Sequence, residues 1–212
     1  MTLINFIGIK QSAEFNTIST FIEFAGLLLV IFIGAKKLGS VDYLAMPAGM
    51  PGVFSASALV FFAYMGFESI VKLAEETKNP EKTIPKAIVY SVIITTLLYV
   101  LVSIAAVSVL DWKELGQSTA PLAKVVSSSL GPVAFVIVGI IALFSTSNTV
   151  LITLVTTSRM IYGMAKEKTI PKIFSYVHKR TQTPWAAIFF LSFATIAFLF
   201  TENLEFLANL TT

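Results

Sequence analysis

FFAYMGFES, residues Phe61 to Ser69, lies inside an apolar stretch running from Val53 to Leu73. It puts a glycine and a carboxylate where a membrane-crossing helix should be uninterrupted. In hydrocarbon every backbone N–H and C=O must be satisfied within the segment, so irregular backbone persists at membrane depth only where protein or a water-filled cavity surrounds it. An ionisable side chain at that depth costs about 3 kcal/mol on insertion scales and more in simulation. Gly66 and Glu68 together predict a helix broken at a binding site. Each also has a plainer reading: a glycine permits close helix packing, and a carboxylate can pair with a basic group or a backbone donor.

Working outward, the composition places this stretch in a membrane. Of the 212 residues 56% are hydrophobic and only 13% charged, 18 are Phe, and the mean hydropathy is +0.83, a balance foreign to soluble domains. The absence of cysteine excludes a disulfide framework, thiol chemistry and a Cys-based metal site. A single histidine, His178, argues against His-based catalysis or metal binding. The net charge of +3 does not mark a nucleic-acid binder, because the basic residues fall in short clusters between apolar runs. No nucleophile–base pair, HExxH motif or phosphate loop is present. Neither an enzyme, nor a cofactor, nor a resident metal is expected.

At roughly 20 apolar residues per crossing of a ~30 Å core, the chain predicts an all-α, polytopic membrane helix bundle with spans at 16–35, 53–73, 84–110, 132–162 and 184–200. The second holds the interruption at Gly66 to Glu68. The third is entered through Thr83 as N-cap with Pro85 in its first turn. Pro184-Trp185 opens the fifth with an aromatic suited to the membrane interface. Orientation follows from the basic residues. Lys10, Lys72, Lys78, Lys82, Lys86, Arg159, Lys166, Lys168, Lys172, Lys179 and Arg180 fall on one side, and Lys36, Lys37, Lys113 and Lys124 on the other. The larger group belongs in the cytoplasm. Met1 to Ile9 has no basic leader and no small-residue cleavage site, so it does not read as a signal peptide. Short apolar stubs at both ends, Leu3 to Ile9 and Phe206 to Leu210, make the chain read as the middle of a larger protein.

Two further polar features lie within the spans. Glu23 sits near the start of the first, where it either snorkels to the interface or, if buried, is a candidate to take up and release a proton. Ser145, Thr149, Thr153 and Thr156 recur at spacings of three or four and share one helical face, with Ser147 and Asn148 beside them. They either line a substrate or cation path or satisfy backbone carbonyls and bind helices together.

FFAYMGFES followed by AEETKNPEKTIPKAI (Ala74 to Ile88) resembles the sixth helix and following loop of permeases of the amino acid-polyamine-organocation superfamily. SRMIYGMAKEKTIPKIFSYVHKRTQTPWAAI (Ser158 to Ile188) resembles the end of the eighth helix, its cytoplasmic loop and the start of the ninth. The resemblance runs from the end of helix four, through NFIGIK (Asn5 to Lys10), to the start of helix ten. It implies part of a five-plus-five inverted-repeat fold with the substrate held near the midplane by broken helices one and six. On this resemblance, backbone carbonyls around Phe62, Ala63 and Met65 receive the substrate ammonium. Gly66 tolerates the break, Phe62 and Tyr64 pack against or occlude the substrate, Phe67 lines the neighbouring wall, and Glu68 completes the motif. Some members carry a Lys at the position matching Glu23, its ammonium standing in for a sodium ion; the carboxylate here reverses that charge and makes Glu23 or Glu68 a proton-coupling candidate. Ser145, Asn148, Thr149 and Thr153 would line the helix-eight pathway.

The function this implies is secondary active transport of amino acids or related amines by alternating access, in a multi-pass protein of the cell membrane. A neutral or apolar amino acid is the preferred substrate, a proton or sodium ion the coupling partner, and the lipid bilayer the surroundings. The family's glycine-rich first helix is not in this chain, so the expectation is an incomplete permease that shows no uptake alone and whose remaining helices are encoded separately. The alternative is a non-transporting remnant or a structural subunit of a membrane assembly.

Overall fold

Apolar runs too long for a single strand and free of internal turn residues fold here as helices. The computed structural model describes residues 1–64, 66, 68–72, 74 and 77–199, with Phe62, Glu68 and Leu199 described by backbone alone. Among these residues the elements are α1 (Thr2–Ile7), α2 (Ile9–Ala35), α3 (Gly49–Phe62), α4 (Glu68–Lys72), α5 (Pro80–Val109), α6 (Trp112–Gly116), α7 (Pro121–Leu130), α8 (Pro132–Lys166), a 3₁₀ turn (Lys172–Ser175) and α9 (Trp185–Leu199), with no strand. At about 1.5 Å per residue, the 27, 30 and 35 residues of α2, α5 and α8 each exceed a ~30 Å hydrocarbon core. Only 28, 22 and 11% of their most apolar windows are buried. Their outward surfaces therefore carry side chains such as Phe21, Phe32, Ile93 and Leu143, which suits contact with lipid and not with water. The chain is an all-helical, multi-pass membrane protein. The apolar helices α3 and α9, of 14 and 15 residues, are shorter.

The helix limits depart from the sequence expectation by four residues or more in four helices, one of them α8, which ends at Lys166 and not Tyr162. The first helix starts at Ile9, not Asn16. Its added turns are polar, and Lys10 and Glu14 stand four residues apart with Nζ and Oε1 3.9 Å from each other. α5 starts at Pro80, not Ile84, with Asn79 as N-cap at φ 50°. Pro80 rather than Pro85 thus fills the opening turn, where a missing N–H costs little. Thr83, expected as the cap, donates its hydroxyl to the Lys78 carbonyl over 2.9 Å. α3 starts at Gly49 and stops at Phe62, so the interruption opens at Ala63, and Glu68 begins α4 rather than lying in the gap. The expected stub Phe206 to Leu210 lies outside the described residues.

The chain divides into two units, Ser19–Thr146 and the combination of Met1–Ile18 with Ser147–Thr212. In the first, Val30 and Ile33 of α2, Ala105 and Ala106 of α5, Val125 and Val126 of α7 and Ala134 of α8 form the core. Small residues set its closest approach. A Cβ on Gly34 would collide with Cα and Cβ of Ala105 and come within 2.7 Å of its carbonyl oxygen. Beyond that contact Ser40 donates to the Ser108 carbonyl over 2.9 Å, and the Tyr43 and Ser108 hydroxyls lie 2.7 Å apart. The C-terminal ends of α2 and α5 thus share one end of this unit. Lys36, Lys37 and Lys113 follow those ends directly, and Lys124 joins them through a 2.8 Å ion pair with Glu114. The smaller cationic group accordingly gathers at one end.

In the other unit α1 packs on α9, with the Thr2 and Ser192 hydroxyls 2.8 Å apart and the rings of Phe6 and Phe189 at 5.6 Å. A polar chain closes the loop before α9. His178 Nδ1 lies 3.0 Å from Thr181 Oγ1, which lies 2.7 Å from Thr183 Oγ1, and Thr183 donates to the Phe6 carbonyl over 2.9 Å. His178 is thus tied into the loop rather than isolated.

Candidate functional site

The helical bonds of α3 run out at its C-terminal end. The N–H groups of Ala63 and Tyr64 bond to the carbonyls three residues back, Val60 and Phe61, at 2.9 and 3.0 Å, the tight closure of a terminating helix. Gly66 has φ +117°, a conformation that side chains disfavour and glycine does not. The Ser69 N–H then bonds to the Gly66 carbonyl over 3.0 Å as α4 begins.

Two side chains of α5, three residues apart and therefore on one face, hold this terminus. The Tyr99 hydroxyl donates to the Ala63 carbonyl over 2.8 Å. The Tyr64 hydroxyl donates to Thr96 Oγ1 over 2.9 Å, and Thr96 in turn donates to the Val92 carbonyl over 2.8 Å. Such chains polarise and strengthen each bond. The rings of Tyr64 and Tyr99 meet edge to face with centroids 5.3 Å apart, a favoured aromatic geometry. The structure therefore brings Ala63 and Tyr64 together with two residues the sequence reading did not single out, Thr96 and Tyr99. Met65 and Phe67 lie outside the described residues, as do the side chains of Phe62 and Glu68. The Ala63 carbonyl, expected as an open acceptor, already receives one hydrogen bond; a carbonyl oxygen accepts two.

Glu23 is half-buried and falls one residue past the midpoint of α2, not near its start, because the helix begins seven residues earlier than expected. On α8, Ser145 is half-buried and belongs to the same unit as the break; Asn148, Thr149 and Thr153 belong to the other. Asn148 is buried, while Thr149 and Thr153 are exposed. Thr153 donates to the Thr149 carbonyl over 2.9 Å, and Thr156 to the Ile152 carbonyl over 2.9 Å. These are bonds to the preceding turn, a common partner of a hydroxyl within a helix. Among the described residues no three His, Asp or Glu side chains are gathered as metal ligands.

The sequence as a whole matches known proteins. The model of the amino acid permease family matches residues 1–212. The chain is 34% identical over 191 residues to the branched-chain amino acid permease BcaP of Bacillus subtilis, covering 90% of this chain and 41% of that protein. It is 31% identical over 205 residues to cationic amino acid transporter 1 of Arabidopsis thaliana, covering 96% of this chain and 34% of the relative. With the methylthioribose transporter of Bacillus subtilis it shares 28% identity over 179 residues, 84% of this chain and 39% of that one. The chain thus spans between about a third and two fifths of the length of these curated relatives. With the family model matched from end to end, and with relatives that are transporters rather than enzymes, the chain belongs to the amino acid permease family, within the amino acid-polyamine-organocation superfamily that its two motifs resemble.

Proposed function

We propose that this chain takes part in carrying amino acids or related amines across a membrane by alternating access, with the break between α3 and α4 as one side of the substrate site. The observation that carries the reading is the helix end at Ala63 to Gly66, with its φ of +117°, inside a chain of this family. A broken helix presents backbone carbonyls that a continuous helix would consume, and these are suited to an ammonium group. Phe62, Met65, Phe67 and Glu68 belong to this proposal with Ala63, Tyr64 and Gly66. The five-plus-five repeat, the cell membrane and coupling to a proton or sodium ion belong to it as well.

Glu23 is the proposed proton-coupling group, since it stands at mid-helix rather than at an end. Glu23→Gln, which cannot exchange a proton, should flatten the pH dependence of uptake; a full pH dependence in this variant excludes Glu23. The primary test is uptake of radiolabelled branched-chain and cationic amino acids into proteoliposomes. The chain is assayed alone and joined to any helices encoded beside it. Saturable uptake by either preparation supports the reading, and its site of action is the broken helix if Gly66 variants alter it. Absence of uptake from both, with the protein folded and inserted, supports a structural role instead.

A further inference from the structure

We infer that Tyr99 and Thr96 are positioning residues for the substrate site: from α5 they hold the last residues of α3 and aim the Ala63 carbonyl. This rests on the proposed transport function and adds to it two residues on a different helix. The geometry is specific. Adjacent residues at the α3 terminus are each gripped by one α5 side chain, Ala63 through its carbonyl at 2.8 Å from Tyr99 and Tyr64 through its hydroxyl at 2.9 Å from Thr96.

A terminating helix leaves its last carbonyls without intrahelical partners, and an unpaired carbonyl at membrane depth is costly. The Tyr99 phenol meets that need at Ala63 whether or not a substrate is present. By filling one of the two acceptor positions, it directs the second to a single side. A phenol suits this task, being rigid about its ring and wedged edge-on against Tyr64, so the carbonyl direction is set by packing as well as by the hydrogen bond. Thr96 acts one step further back. It accepts a hydrogen bond from the Tyr64 hydroxyl while donating one to the Val92 carbonyl, which fixes the ring that Tyr99 leans on.

The ligand group this arrangement serves is a primary ammonium, the donor that fills an oriented backbone carbonyl. The experiment measures KM and kcat for uptake of an amino acid and of its N-methyl form by the wild-type protein and by Tyr99→Phe, Thr96→Val and Thr96→Ser. Tyr99→Phe keeps the ring and removes the donor. It should raise KM about tenfold, leave kcat within about threefold, and narrow the preference for the primary amine over the N-methyl form. Thr96→Val should raise KM about threefold, and Thr96→Ser, which keeps the hydroxyl, should restore it.

A structural role alone would lower the amount of folded protein and leave KM and the amine preference of the remainder unchanged; that result overturns the inference. Should Tyr99→Phe fail to fold, an unchanged KM in folded Thr96→Val does the same. If the wild-type chain takes up no amine either alone or joined to the helices encoded beside it, the proposed function fails and this inference with it, an outcome distinct from normal wild-type uptake with unresponsive variants.

Discussion

Ala105 and Tyr99 stand six residues apart on α5 and meet their neighbours by opposite means. At Ala105 the backbone of α2 comes so close that Gly34 has no room for a Cβ. At Tyr99 a phenol reaches out to a helix end that has run out of its own hydrogen bonds. Within a bilayer, helix association has no hydrophobic drive because lipid tails are as apolar as the side chains, so packing of small residues supplies the cohesion. The Gly34 contact follows that rule and is set in the buried core of its unit, beside Val30, Ile33 and Ala106. The α3 terminus follows another. Ala63 is exposed, and among the described residues it and Tyr64 are met by directional contacts: two hydrogen bonds and a ring edge. One region resists change in volume, the other change in direction.

The severest way to break that comparison is to add volume in the first region. Gly34→Leu must push α2 away from α5, because the obstructing atoms are Ala105 backbone and Cβ and not the tip of a flexible side chain. Overpacking of this kind costs about 3 kcal/mol, at the upper end of its usual range. The expected outcome is a large fall in thermal midpoint in detergent and little folded protein in the membrane. Gly34→Ala should show the same effect in smaller degree. A Gly34→Leu protein that melts like the wild type would mean that the frame does not depend on this contact.

Gly66→Ala tests the second region with the opposite expectation. Among the described residues a Cβ there meets nothing within 4 Å, so the strain expected is that of the backbone at φ +117°. An L-residue with a left-handed backbone costs about 1–2 kcal/mol, which here distorts the turn between α3 and α4 rather than the core. Uptake should fall by about tenfold while the thermal midpoint moves by much less than in Gly34→Leu. If the two glycines gave the same pattern of lost folding, the division into frame and site would collapse.

Much of this was legible in the sequence, and the rest was not for identifiable reasons. A run of some 20 apolar residues has one solution in hydrocarbon, so the helical membrane class follows from Val53–Leu73 and its counterparts. Helix limits were less visible. The first turns of α2 carry Lys10, Gln11 and Glu14, which read as a loop although a helix extending past the hydrocarbon keeps such residues in water. α5 begins at Pro80 because a proline at the first helical position needs no hydrogen bond, and Pro85 five residues on offered the same cue. In the site, FFAYMGFES marks an interruption by residue type, but its opening at Ala63 depends on bonds to Val60 and Phe61 that no side chain announces. Tyr99 was hidden by distance. It lies 36 residues from Ala63, and a tyrosine in an apolar helix otherwise suggests the membrane interface. The i, i+3 spacing of Thr96 and Tyr99 was the available signal. Gly34 gave notice of a close approach without naming Ala105.

The smallest expected effect sharpens the comparison by lying outside both regions. Lys124 and Glu114 form a 2.8 Å ion pair, with side chains 41 and 46% exposed, at the end of the unit where α2 and α5 finish. Geometry of that length would suggest strength, but solvent screens exposed charges, and the entropy of holding two long side chains offsets the attraction. Lys124→Ala should therefore change stability by less than about 1 kcal/mol and leave uptake within about twofold. The two measurements distinguish the regions even in so mild a variant. Loss of thermal midpoint alone would extend the frame from Gly34–Ala105 to the α6–α7 segment. Loss of uptake alone would mean that the end bearing Lys36, Lys37, Lys113 and Lys124 acts on the transport step through its charge, and that signature would weaken with added salt, as charge effects in water do.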